Sequence, residues 1–332
     1  MDFFGCSYPL GAGQAGAAGL DFGICMLLED EFVGNVSVAV TQMACSKDRA
    51  VNIDRAAKLV RTAAKRGAQV VVLQELFETP YFCIEVDKRH HAEAMPVDRN
   101  PAVAAMQELA RKFDVVIPVS IYESDGNKKF NTLVIIDAGG EKLGVYRKSH
   151  IPDFPAYEEA FYFDPGDTGF KVWETKYVKL GGAVCWDQWF PEAARSMALM
   201  GAELLVYPTA IGRPINGSPY DFPNSKPHWQ QTMQGHAAAN MLMVAASNRV
   251  GTELGGGFET AFYGGSFIAN ETGTKVAELG EDENQVVVQE FDLDRIAAFR
   301  KGWGIFRTRR TDLYGPLINV KPPSYLSERK AS

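Results

Sequence analysis

The sequence predicts one α/β domain. Three observations carry this: short β-branched apolar runs alternate with helical periods, the second half repeats the pattern of the first, and no linker-like stretch separates the halves. The 332 residues, 46% hydrophobic and 23% charged, are an ordinary globular composition with enough apolar side chains for a large core.

The elements follow in order from Gly34. SVAVTQM (37–43) is a β-branched strand, and residues 46–66 place Ala56, Leu59, Val60 and Ala63 on one helical face before Gly67. AQVVVLQE (68–75) is apolar at consecutive positions, which predicts a strand covered on both faces. Asn100 and Pro101 form an N-cap and N1 pair for a helix to Phe113, followed by strand VVIPVSI (115–121). KFNTLVIIDAGGEKLGVYRK (129–148) predicts a hairpin turning at Gly139–Gly140. The second half reads as strand 177–184, a helix opening at Phe190–Pro191–Glu192 and ending at Gly201, strand 203–208, helix 227–240 and strand 241–247. SFIA (266–269), VVVQEFD (286–292) and a last helix over 292–300 complete it.

Composition narrows the function. The net charge of −7 and the absence of a basic stripe argue against a nucleic-acid partner. No run approaches the ~20 apolar residues of a membrane span, and the first basic residue is Lys47, so neither a membrane nor a secretory route is expected. Cys6, Cys25, Cys45, Cys83 and Cys185 are scattered without CxxC spacing. That fits a reducing, cytoplasmic compartment and implies no zinc or other metal site. GAGQAG (11–16) fits GxGxxG, but Pro9 precedes it and neither a buried strand nor a helix flanks it, so no dinucleotide cofactor is predicted. Residues 1–34 read as a flexible Gly/Ala-rich extension, 35–320 as the single folded domain and 321–332 as a tail.

Cys185 stands at a strand-to-helix elbow in GGAVCWDQWFPE, where the dipole of the following helix would favour a thiolate. Cysteine is more often a small, inert core residue, so the elbow alone does not decide. None of the five histidines lies in a Cys/His motif. Two charged residues end buried strands instead: Glu75 closes VVVLQE, and Lys148 closes the second strand of the hairpin. Burying them is costly unless they meet each other, which also describes a purely structural ion pair.

LQELFETPYF (73–82), YRKSHIPD (146–153) and GGAVCWDQWFPEAAR (181–195) resemble, in order, the three signature segments of the nitrilase superfamily of carbon-nitrogen hydrolases. The resemblance runs from about Gly34 to Pro316. It implies a four-layer α-β-β-α sandwich, a homo-oligomer of at least two copies, and a Glu–Lys–Cys set falling on Glu75, Lys148 and Cys185. A second glutamate of the family pattern falls on Glu159. The implied activity is hydrolysis of a small carbamoylated amine without a cofactor, with a ureido acid, another amide or a nitrile as alternatives. An idle scaffold of the same fold is disfavoured because all three side chains are present. Trp186 and Asp187 are the candidates for substrate contact, and the Trp186 N–H for the oxyanion. Asp153, Glu158 and Asp221 read as solvated loop charges, while Arg213 would suit an acidic substrate.

Overall fold

The computed structural model describes residues 34–216, 224–281 and 284–322. The expected extension before Gly34, the end of the tail and Asp221 lie outside those residues.

The first half builds β1 (Asn35–Gln42), α1 (Arg49–Lys65), β2 (Val70–Val72), α2 (Pro101–Phe113), β3 (Ile117–Asp125), β4 (Lys128–Ile136) and β5 (Lys142–Arg147). The second helix starts at the cap expected, Asn100, which accepts from the N–H groups of Ala102 and Val103, and the first at Asp48, which accepts from those of Ala50 and Val51. The second half builds β6 (Val172–Glu174), β7 (Lys179–Gly182), α3 (Pro191–Leu199), β8 (Leu204–Pro208), β9 (Gly212–Asn216), α4 (Lys226–Asn240), β10 (Met243–Ser247) and β11 (Val250–Gly255). It ends with β12 (Phe258–Tyr263), β13 (Phe267–Ala269), β14 (Lys275–Glu278), β15 (Gln285–Asp292), α5 (Leu293–Trp303) and α6 (Gly315–Asn319).

Two sheets dominate. One runs β14-β13-β10-β8-β7-β6. The other runs β15-β1-β2 and continues through a parallel bridge, Val70 with Val116, into β3-β4-β5. Its strand β15 returns from the far end of the chain to pair antiparallel with β1 over eight residues. The alternation along β1 and β2 shows why their apolar runs are continuous. Val36, Val38, Val40, Val70 and Val72 join the core shared with the second sheet, whereas Ala39 and Val71 pack with Leu59, Val60 and Met106 of α1 and α2. On the opposing sheet Gly181 faces Met197 of α3, and Gly182 faces Leu133 and Ile135 of β4. Helices thus cover the outer face of each sheet, which is the α-β-β-α sandwich expected.

The two sheets approach closely at Gly182, where an added Cβ would stand 2.8 Å from Leu133 Cδ2. Gly182→Ala is therefore expected to destabilise the fold by about 1–3 kcal/mol, read as a lowered denaturant midpoint at unchanged m-value. Hairpin β11–β12, with β9 on its edge, forms a small third sheet that the sequence reading did not contain. Among the described residues no helix is long and apolar enough to cross a membrane.

Candidate active site

Four segments converge at one end of the sandwich. Beyond β2 the chain reaches Glu75, which is fully buried. Its Oε1 accepts from Asn131 Nδ2 at 2.7 Å and from Lys148 Nζ at 2.9 Å, while its Oε2 has no partner among the described residues. Lys148 follows β5 directly, and its own N–H donates to the Asn131 carbonyl at 2.9 Å. Its ammonium also meets Glu159, at 2.9 Å to Oε1 and 2.6 Å to Oε2, and Tyr81 donates its hydroxyl to Glu159 Oε1 at 2.5 Å. Glu75, Lys148 and Glu159, far apart in sequence, therefore form one buried ionic cluster.

Burial works against the Lys148 ammonium, but Glu159 and Glu75 more than offset it and hold its pKa well above the ordinary lysine value. Burial dominates at Glu159, which is raised to about 7 even though Lys148 pulls it down. One cation shared between two carboxylates leaves the cluster with excess negative charge.

Cys185 comes next to this cluster, 3% exposed, with its Sγ 3.9 Å from the Ala210 carbonyl. Burial, reinforced by the Glu75 carboxylate and opposed by Lys148, raises its thiol pKa well above the usual value. The dipole expectation is thus corrected. The residues after Cys185 form a 3-10 turn, Cys185–Trp189, and α3 begins only at Pro191. Desolvation outweighs the nearby cation and favours the thiol form.

The backbone of Cys185 is left-handed, with φ +42°, a conformation that costs a non-glycine residue energy and persists only where the surroundings fix it. Asp187 is one of those surroundings. It is fully buried, and its Oδ2 accepts from the Val184 N–H at 3.0 Å and the Tyr146 hydroxyl at 2.8 Å. Its Oδ1 accepts from the His150 N–H at 3.0 Å and lies 2.7 Å from His150 Nδ1. Asp187 was expected at the substrate. It instead ties the residue before Cys185 to the residues flanking Lys148, because its place in the tight turn directs it inward.

Trp186 does face open space. With Cys185 it lines a cavity of about 280 Å³ whose wall includes Phe154, Tyr157, Trp189 and Arg213. The rings form a continuous surface: Phe154 to Trp186 at 5.3 Å, Trp186 to Trp189 at 6.2 Å, and Phe154 to Tyr157 at 5.1 Å between centroids. A second recess of about 610 Å³ lies at Arg49, Glu93 and Glu253 and does not include Cys185. Beside it, Glu85, Asp87 and His90 bring ligand-type atoms within 4.8 Å of one another. There Asp87 Oδ2 already takes the Arg89 Nε at 2.6 Å and His90 Nδ1 lies 2.6 Å from Glu93, so the group is an ion-pair network as it stands.

Arg249 escaped the sequence reading, although the rule that selected Glu75 and Lys148 also applies to it: a charge just beyond an apolar strand, MVAASNR. The guanidinium is fully buried. It donates to the carbonyls of Glu75 at 3.1 Å, Leu76 at 3.0 Å and Thr79 at 2.9 Å, and it pairs with Glu253 at 2.7 Å. It clamps the loop that carries Glu75, including Leu76 at φ +47°.

The chain is similar to known proteins over most of its length. The family model described as carbon-nitrogen hydrolase matches residues 37–301. An N-carbamoylputrescine amidase of Solanum tuberosum is 51% identical over 289 residues, 86% of this chain and 95% of the relative. A citrullinase of Francisella tularensis subsp. tularensis is 46% identical, over 86% of this chain and 99% of the relative. The crystal structure of a carbon-nitrogen hydrolase from Helicobacter pylori G27 superposes with a TM-score of 0.80 at 38% identity, covering 87% of this chain and all of that one (100%). The chain belongs to the carbon-nitrogen hydrolase family of the nitrilase superfamily, and it is a hydrolase of carbon–nitrogen bonds.

Proposed function

We propose that the protein hydrolyses N-carbamoylputrescine to putrescine, ammonia and carbon dioxide, with Cys185 as nucleophile, Glu75 as general acid and base, and Lys148 as the charge that stabilises the oxyanion. The observation that carries this reading is the 51% identity to the potato amidase over nearly its whole length. The buried cluster supplies the chemistry. Burial favours the thiol form, so its proton leaves as the sulfur attacks the ureido carbon, and Glu75 Oε2, with no partner among the described residues, is the acceptor.

The tetrahedral oxyanion collapses as Glu75 returns the proton to the departing ammonia. A thiocarbamate ester remains on Cys185. Water, deprotonated by Glu75, then attacks the same carbon, and the thiol leaves with a proton. The released carbamic acid loses carbon dioxide without further help. Glu159 keeps the Lys148 ammonium in place throughout.

The apolar, ring-walled cavity suits a short methylene chain, and the aromatic faces attract its terminal ammonium with about 0.5–2 kcal/mol. A second reading, a ureido acid such as citrulline, is favoured by one observation: Arg213 lines the same cavity. Ammonia release from N-carbamoylputrescine, citrulline and N-carbamoyl-β-alanine, measured side by side, tests both. We expect kcat/KM for the cationic substrate to exceed the others at least about tenfold. A preference for either acid overturns the assignment, and its loss in Arg213→Ala would then identify the selector. We further propose that the protein acts in the cytoplasm as a homo-oligomer, with exposed Trp303, Leu317 and Ile318 in the contact between copies. Light scattering that returns a monomer mass refutes the oligomer.

A further inference from the structure

Gln188 stands one 3-10 turn after Cys185. That helix has three residues per turn, so side chains at i and i+3 share a face. Both residues line the 280 Å³ cavity, and Gln188 is fully buried. Its Oε1 accepts from the Trp229 indole N–H at 2.8 Å and the Thr209 hydroxyl at 3.1 Å. An indole nitrogen only donates, so the amide cannot be turned over. Its backbone is held as well, because the Gln188 carbonyl lies 2.8 Å from His236 Nε2. The Nε2 is thereby fixed in direction; it is closed to solvent and has no partner among the described residues. A buried donor left unpaired bears its full desolvation cost, and folded proteins keep few of them without a reason.

Lys148 supplies a second, independent observation. An ammonium has three hydrogens, and Lys148 Nζ already contacts three carboxylate oxygens: Glu75 Oε1 and both oxygens of Glu159. The ammonium is thus held by two carboxylates at rest, and a neighbouring neutral donor would share the work of binding an incoming carbonyl. A ureido or amide head offers one strong acceptor, its oxygen, and that oxygen must approach close to Sγ for attack.

We infer that Gln188 is a substrate-binding residue whose Nε2 receives the carbonyl oxygen of a ureido or primary-amide head group beside Cys185. The ureido identity of that head rests on the function proposed above; the donor itself does not.

The deciding variant is Gln188→Glu, which keeps an oxygen for Trp229 and Thr209 and exchanges the free donor for an acceptor; any effect of the added charge on the sulfur itself is shared by both alkylations and cancels in their ratio. Cys185 is alkylated in parallel by iodoacetamide, which carries an amide oxygen, and by methyl iodide, which carries none. In both reactions an S–C bond forms, iodide leaves with the C–I electron pair, and the thiol proton is taken up by Glu75 or solvent. We expect Gln188→Glu to slow iodoacetamide at least tenfold relative to methyl iodide and to lower kcat/KM for N-carbamoylputrescine by a similar factor. Thr209→Val, which breaks an internal bond of the same amide, should leave the ratio of the two rates near the wild-type value. An unchanged ratio in folded Gln188→Glu overturns the inference, and so does an equal change in Thr209→Val. Should Gln188→Glu not fold, Gln188→Met gives the same reading. Wild-type silence on N-carbamoylputrescine refutes the substrate instead, while the alkylation ratio still judges Gln188.

Discussion

Cys185→Ala is expected to lower ammonia release by about 10⁴-fold or more, the scale set by removing a nucleophile that acts as part of a unit. Its melting temperature should move by only a few degrees, because ~1 kcal/mol shifts a domain of this size by roughly 2–4 °C or less. Alanine retains the Cβ, so the left-handed backbone at φ +42° is strained no further, and the brace through Asp187 is untouched. Steady-state rates beside a calorimetric scan decide the matter. A folded variant with more than a few per cent of wild-type activity removes Cys185 from the chemistry and leaves it a core residue.

Lys148→Met should fail in both respects. It leaves two fully buried carboxylates, Glu75 and Glu159, with no cation between them. Breaking such a cluster from one side costs about 3–5 kcal/mol. The pH dependence of that deficit carries the diagnosis. Glu159 is already raised to about 7 with Lys148 pulling it down, so without the lysine its folded value moves higher still. A carboxyl whose folded pKa exceeds its unfolded one favours the fold at low pH, and that contribution disappears as pH rises through the folded pKa. The variant should therefore melt closest to wild type near about pH 5 and fall further behind as pH rises through neutrality. A deficit that stays constant with pH shows that lost packing, rather than bare charge, is responsible.

Much of this architecture was legible because buried parallel strands announce themselves. VVVLQE and ELLVYP are apolar at consecutive positions, and α1 and α2 carry their caps in the sequence. The pairing of β15 with β1 across some 250 residues was not, since register between distant strands leaves no local trace. Hairpin β11–β12 hid within TELGGGFETAFY, whose glycines and polar alternation read as loop. At the site, Glu75, Lys148, Cys185 and Glu159 stood out because their segments resemble family signatures. The directions of Asp187 and Gln188 were not legible, because side chains in a five-residue 3-10 turn follow neither the 3.6 nor the 2.0 period by which sequence patterns are read. The segment suggested that Asp187 faces the cavity and gave no hint of Gln188. Geometry reverses the two.

The raised thiol pKa of Cys185 bears on survival as well as on catalysis. The thiolate is the form that attacks peroxide and disulfide reagents, and it does so fastest where sulfur is exposed. A sulfur that is 3% exposed, and whose thiol form burial favours, is guarded on both counts. On the proposed mechanism the proton leaves the sulfur as a carbonyl carbon arrives beside Glu75, so the burial that shields Cys185 also ties its reactivity to a seated substrate.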